Sequence, residues 1–129
     1  MKTLNVSKSL RLLKPVIGIL SLYLTTSSCL ADLLYISNAQ ANSITAFNLS
    51  SGTSNGVFAT SGLSYPVGIA LNNAGNLFVG NYPTGNIVQF DPAGTPLGAF
   101  ANIGTNGPSG SAFDTAGNLF LSDEEDNLI

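Results

Sequence analysis

The chain has 129 residues, a formal net charge of −3 and only 9% charged residues, which leaves room for one domain of ordinary size. Its four basic residues, Lys2, Lys8, Arg11 and Lys14, all precede its seven acids, Asp32, Asp91, Asp114, Asp123, Glu124, Glu125 and Asp126, and there is no histidine. A region without cations cannot displace counterions from phosphates, which argues against nucleic acid as a partner and disfavours anionic membrane surfaces.

In chain order, the basic start runs into the apolar stretch 16–24 and then into small residues ending at Ala31. This is the layout of a secretory signal peptide over 1–31, with an apolar run too short to span a bilayer comfortably. Cleavage after Ala31 predicts a secreted or periplasmic product with no membrane attachment and no cysteine. Two alternatives are an uncleaved N-terminal anchor and a lipoprotein attached through Cys29. The second follows from a loose lipobox, Thr26-Ser-Ser-Cys29, which lacks the usual leucine.

Beyond residue 31 the sequence alternates short apolar segments with turn formers. The segments 33–37, 43–48, 56–59, 67–71, 76–80, 86–91, 96–101, 111–114 and 118–122 read as strands. Between them lie turn signals such as Asn73-Ala-Gly75, Asp91-Pro-Ala-Gly94 and Thr115-Ala-Gly117. No useful length carries helical periodicity, so the predicted fold class is all-β and antiparallel. Within 67–101 four strands follow one another. Gly68 and Ala70 suit a crowded inner strand, and Pro96 is tolerated at the start of an outer one.

The chain also repeats itself. Residues 65–80 align without a gap on 107–122 at an offset of 42, and 34–48 align on 77–91 at an offset of 43. Four strands per period of this length make one blade of a β-propeller. The run Pro66-x-Gly-Ile-Ala-x-Asn-x-x-Gly-Asn-Leu-Phe-Val79, followed by Gly85-Asn-Ile-Val-Gln-Phe-Asp91, resembles the NHL repeat. It is similar also to the wider six-bladed group with gluconolactonase-like and streptogramin-lyase-like members. On this resemblance, residues 32–62 are the trailing part of a blade, 63–104 a full blade and 105–129 the start of the next. The expected architecture is an open, partial propeller of about two to two and a half blades. The resemblance implies about six blades in a closed ring. The expectation is therefore an incomplete copy, with assembly of several chains into a ring, or an open arc, as the other readings. Self-association through exposed blade edges is a further expectation.

Without histidine, Ser-His-Asp and Cys-His sets and histidine-ligated zinc sites cannot be built. The lyase-like relatives rely on histidine, so the resemblance does not carry their chemistry. In the lactonase-like relatives an acid stands just before the inner-strand glycine; Val67 and Ser109 occupy that place here. No catalytic residue and no cofactor is expected, apart from Ca²⁺ as an option at the acidic run Asp123, Glu124, Glu125, Asp126. A solvated turn is the plainer reading of that run. Asn38, Asn81 and Asp123 close equivalent strands and are expected either to cap turns or to face a ligand. Asn48-Leu-Ser50 fits an N-glycosylation acceptor, relevant in a eukaryotic secretory pathway. The expected function is non-catalytic binding of a protein or glycan ligand. The alternative is the N-terminal piece of an extracellular hydrolase or lyase whose catalytic residues lie in other blades.

Overall fold

The computed structural model describes residues 32–82, 84–104 and 107–124; the expected signal peptide lies outside them. They form nine strands: β1 (Leu33–Asn38), β2 (Ser43–Asn48), β3 (Ser54–Ala59), β4 (Pro66–Leu71), β5 (Leu77–Asn81), β6 (Asn86–Phe90), β7 (Pro96–Asn102), β8 (Pro108–Phe113) and β9 (Leu119–Asp123). The strands assemble in chain order into three antiparallel sheets, β1-β2-β3, β4-β5-β6-β7 and β8-β9. Each expected segment falls on a strand. β3 and β8 start earlier than the apolar pattern suggested, because Ser54 pairs with Phe47 and Pro108 with Asp123. Ladder pairing belongs to the backbone, and small polar residues enter it without an apolar signature.

Asx loops join the two inner strands of each repeat. Asn72 Oδ1 accepts the amides of Ala74 and Asn76, both at 3.0 Å. One repeat later Asp114 Oδ1 accepts the amide of Asn118 at 2.8 Å, while its Oδ2 accepts the Asn118 side-chain amide at 2.8 Å. These short side chains satisfy turn amides that the ladder leaves open.

The sheets stack face to face, with alternate residues of a strand serving different neighbours. From β5, Leu77 and Val79 join Ile44, Ala59, Val88 and Phe90 in the core, against which Tyr35, Phe58, Leu63 and Ile69 pack. On the opposite face Phe78 meets Phe113 of the third sheet edge-on, with ring centroids 5.0 Å apart, and Phe100 of its own sheet at 4.9 Å. Full burial of one such side chain stabilises the fold by about 1.5–3 kcal/mol. Near the inner end the backbones of β4 and β8 almost touch: a Cβ on Gly68 would lie 3.1 Å from the Ser109 carbonyl oxygen. Outward, both β3 and β7 pair with two register irregularities each.

One position of the repeat makes a different contact in each sheet: to the next sheet from Ser37 and Gly80, and within its own sheet from Ser122. Ser37 donates its hydroxyl to the Val67 carbonyl at 2.9 Å. The aligned Gly80 leaves room for the Pro108 ring, whose Cβ would sit 3.1 Å from an added methyl group. Its counterpart Ser122 accepts the Gly110 amide at 2.9 Å and lies 3.1 Å from the Ser109 hydroxyl.

Candidate functional site

The three strand-closing residues singled out from the sequence are turned inward. Asn81 is 2% exposed. Its Oδ1 accepts the Ser64 amide at 3.0 Å and its Nδ2 donates to the Gly62 carbonyl at 2.9 Å. It therefore fastens the link that leads into its own sheet, a role different from both capping the next turn and facing a ligand. Asn38 is half-buried and donates to Thr45 Oγ1 at 2.8 Å across the β1–β2 hairpin. Asp123 is 8% exposed. The partners of Asn81 and Asn38 satisfy amide groups that burial withdraws from water.

The residues just beyond these strand ends are the ones that reach an open cleft. Tyr82 follows Asn81, and Glu124 follows Asp123. Together with Tyr65 and Val67 they line a cleft of about 480 Å³. Tyr82 and Glu124 are equivalent in the repeat and are held alike: the Tyr82 amide donates to the Tyr65 carbonyl at 3.2 Å, and the Glu124 amide to the Gly107 carbonyl at 2.8 Å. The Tyr65 and Tyr82 rings are 5.9 Å apart between centroids and tilted by 53°.

Tyr65 has a left-handed backbone, with φ of 49°. For a bulky side chain this conformation is strained, at a cost on the order of 1–3 kcal/mol. The surroundings hold it in place. Its amide donates to Asn42 Oδ1 at 2.6 Å, and Asn42 is the other described non-glycine residue with a positive φ, also 49°. The residue is 45% exposed, so the strain does not serve core packing. Gly107 stands at the aligned position of the next repeat, a residue that tolerates this backbone freely. Tyr65 and Tyr82 gave no separate signal in the sequence, whereas Glu124 stood out there as part of the acidic run.

The acidic run behaves as separate residues where it is described. Asp123 is buried, whereas Glu124 is exposed and opens on the cleft. Glu125 and Asp126 lie outside the described residues. Among the described residues no three His, Cys, Asp or Glu side chains come together as a cation site would require. Val67 and Ser109 also take part in the scaffold: the Val67 carbonyl accepts the Ser37 hydroxyl, and Ser109 pairs with Ser122. At the glycosylation sequence, Asn48 Oδ1 accepts the Ser51 amide at 2.9 Å in an exposed turn. A second cleft of about 290 Å³ between β6, β7 and the 61–62 link is lined by Val88, Phe90 and Ala99 among others, with no ionisable group among the described residues that line it.

Three stacked antiparallel sheets in this arrangement are found in two solved structures. The chain is similar to one from Kuenenia stuttgartiensis hydrazine synthase, with a TM-score of 0.63 and 21% identity over 72% of this chain and 26% of that one. It is similar also to one from a nidogen/laminin complex, with a TM-score of 0.67 and 25% identity over 75% of this chain and 37% of that one. Both are β-propeller-like. The fold is that of a partial β-propeller. No protein-family model matches the chain, and neither does any curated protein sequence. The chain spans roughly a quarter to just over a third of the length of these solved chains. In propeller terms, β4 to β7 form a full blade, β1 to β3 align with the second to fourth strands of the preceding one, and β8 and β9 with the first two of the next.

Proposed function

We propose that this chain is a non-catalytic binding module of an exported NHL-type propeller, and that it takes its ligand at the Tyr65–Tyr82–Glu124 cleft. The carrying observation is the strained, half-exposed Tyr65. A backbone cost that yields no core packing is expected where a side chain must be presented to a ligand. The cleft joins two blades and lies beyond the strand ends, where propeller loops differ from repeat to repeat while the framework stays the same. Ala39, Tyr82 and Glu124 show that variation at one position of the motif. A protein ligand is favoured over a glycan, because one of the similar chains comes from a complex between proteins.

The test is a paired screen of the full chain and its Tyr65→Ala/Tyr82→Ala/Glu124→Gln variant on peptide and glycan arrays. The expected outcome is a set of peptide ligands retained by the parent and lost by the variant. Glycan ligands with the same dependence would keep the site and change the ligand class. Hits indifferent to the triple substitution would sink the assignment.

A further inference from the structure

We infer that the cleft recognises a positively charged organic group, in its protein-borne form a lysine or arginine side chain; this rests on the cleft being the binding site proposed above. The Tyr65 and Tyr82 rings pack on one another at 5.9 Å and 53°, and both residues line the cleft, so they offer it two differently inclined aromatic surfaces, where a flat sugar face would call for a single platform. The faces of tyrosine rings carry negative quadrupole potential, and a cation within about 6 Å of a centroid is attracted to it. Glu124 places a carboxylate on the same cleft, and Val67 supplies an apolar wall for the methylene stem of a long basic side chain. Charge complementarity sets the sign. No lysine, arginine or histidine occurs after Lys14, so within residues 15–129 no side chain competes for Glu124 or repels an incoming cation. An anionic ligand would meet a carboxylate and no counter-charge.

The repeat supports the same conclusion. Tyr82 and Glu124 hold equivalent positions and equivalent backbone bonds, yet one supplies a ring and the other a charge. Two copies of one scaffold position thus bring complementary halves of a cation site to a single cleft. Asn42 completes the arrangement from outside by holding the Tyr65 backbone, which makes it a positioning residue.

The experiment is a titration of the full chain with Nα-acetyl-arginine methylamide, Nα-acetyl-lysine methylamide and tetramethylammonium, with N-acetylglucosamine as the neutral probe. Binding is followed by NMR at the Tyr65, Tyr82 and Glu124 signals. The cations are expected to bind at this cleft and to weaken as salt rises. Tyr82→Ala and Glu124→Gln should each lower affinity by about 3–30-fold. Tyr65→Gly separates binding from folding, since it removes the ring while relieving the backbone: affinity should fall by a similar factor with the thermal midpoint unchanged or raised. Equal binding of the neutral sugar, or cation binding indifferent to salt and to Glu124→Gln, would overturn the charge assignment. Should cleft-dependent peptides emerge from the arrays while none of the cations binds, this inference fails and the binding module stands. Cation binding at the cleft alongside array ligands that ignore it would do the opposite, upholding the cation site and sinking the cleft as the seat of the peptide ligand.

Discussion

Leu77 and Leu34 occupy the same place in the repeat, yet the first is 1% exposed and the second 47%. Val79 and Ile36, one turn of the pleat further on, are 0% and 40% exposed. Every residue of β5 is buried, whereas β1 and β9 alternate between covered and open positions. The sequence of a blade is thus not what buries it. Its neighbours do, as expected of repeat architectures whose stability resides largely in interfaces between units.

The sharpest way to break this comparison is to truncate one aligned aromatic in two blades. Phe78 is 5% exposed beneath Phe113, and its counterpart Phe120 is 51% exposed. Phe78→Ala should cost about 3–5 kcal/mol in urea unfolding, and Phe120→Ala about 0.5 kcal/mol or less. Equal losses would mean that burial does not come from the neighbouring blade. A smaller difference is expected at the inner strands. An alanine at position 68 would press on the Ser109 backbone, costing about 1–3 kcal/mol by overpacking. The same change at Gly110 meets only the Ser122 hydroxyl and should cost less, because a side chain can rotate away. If Gly110→Ala proved the more damaging, the tight approach of β4 to β8 would be misassigned.

The subtlest contrast is one of pH. Asn72 and Asp114 organise equivalent turns, but only the second titrates. The Asn118 side-chain amide and then its backbone amide hold the Asp114 carboxyl below its ordinary value of 3.8, and bonds from the Thr95 backbone foremost do the same for Asp91. A depressed carboxyl stabilises the fold above its unfolded-state pKa, and that contribution disappears as pH falls through the folded value. Asp114→Asn should therefore flatten the decline of the urea midpoint between neutral and strongly acidic solution. Asn72→Asp should steepen it. An unchanged acid profile in both variants would rule out the turn carboxylates as a source of acid sensitivity.

The strands and turns were legible because each has a local cause: alternation for the ladders, and Asn, Asp and Gly for the loops. The stacking of sheets was legible through the repeat. The cleft was not, because its residues come from two blades: the two tyrosines look ordinary in their own segments, and Glu124 stood out only as one of an acidic run. Asn81 shows the limit well. Its place at a strand end suggested a turn cap or a ligand contact, while its partners, Gly62 and Ser64, lie 19 and 17 residues earlier in the chain. Only the approach of that link to β5 reveals the connection.

The irregular pairing of β3 and β7 bears on how such a chain survives in a crowded solution. These are the outer edges of the two larger sheets, and Leu97 and Phe100 of β7 are each 55% exposed. A straight strand of that character would be a template for recruiting other chains into a growing sheet. Two register irregularities in the pairing of each edge, together with Pro96 at the start of β7, interrupt the regular spacing of donors and acceptors that such recruitment needs. Edges interrupted in this way are poor templates for amyloid-like growth, and the faces between sheets remain the surfaces where stacking occurs.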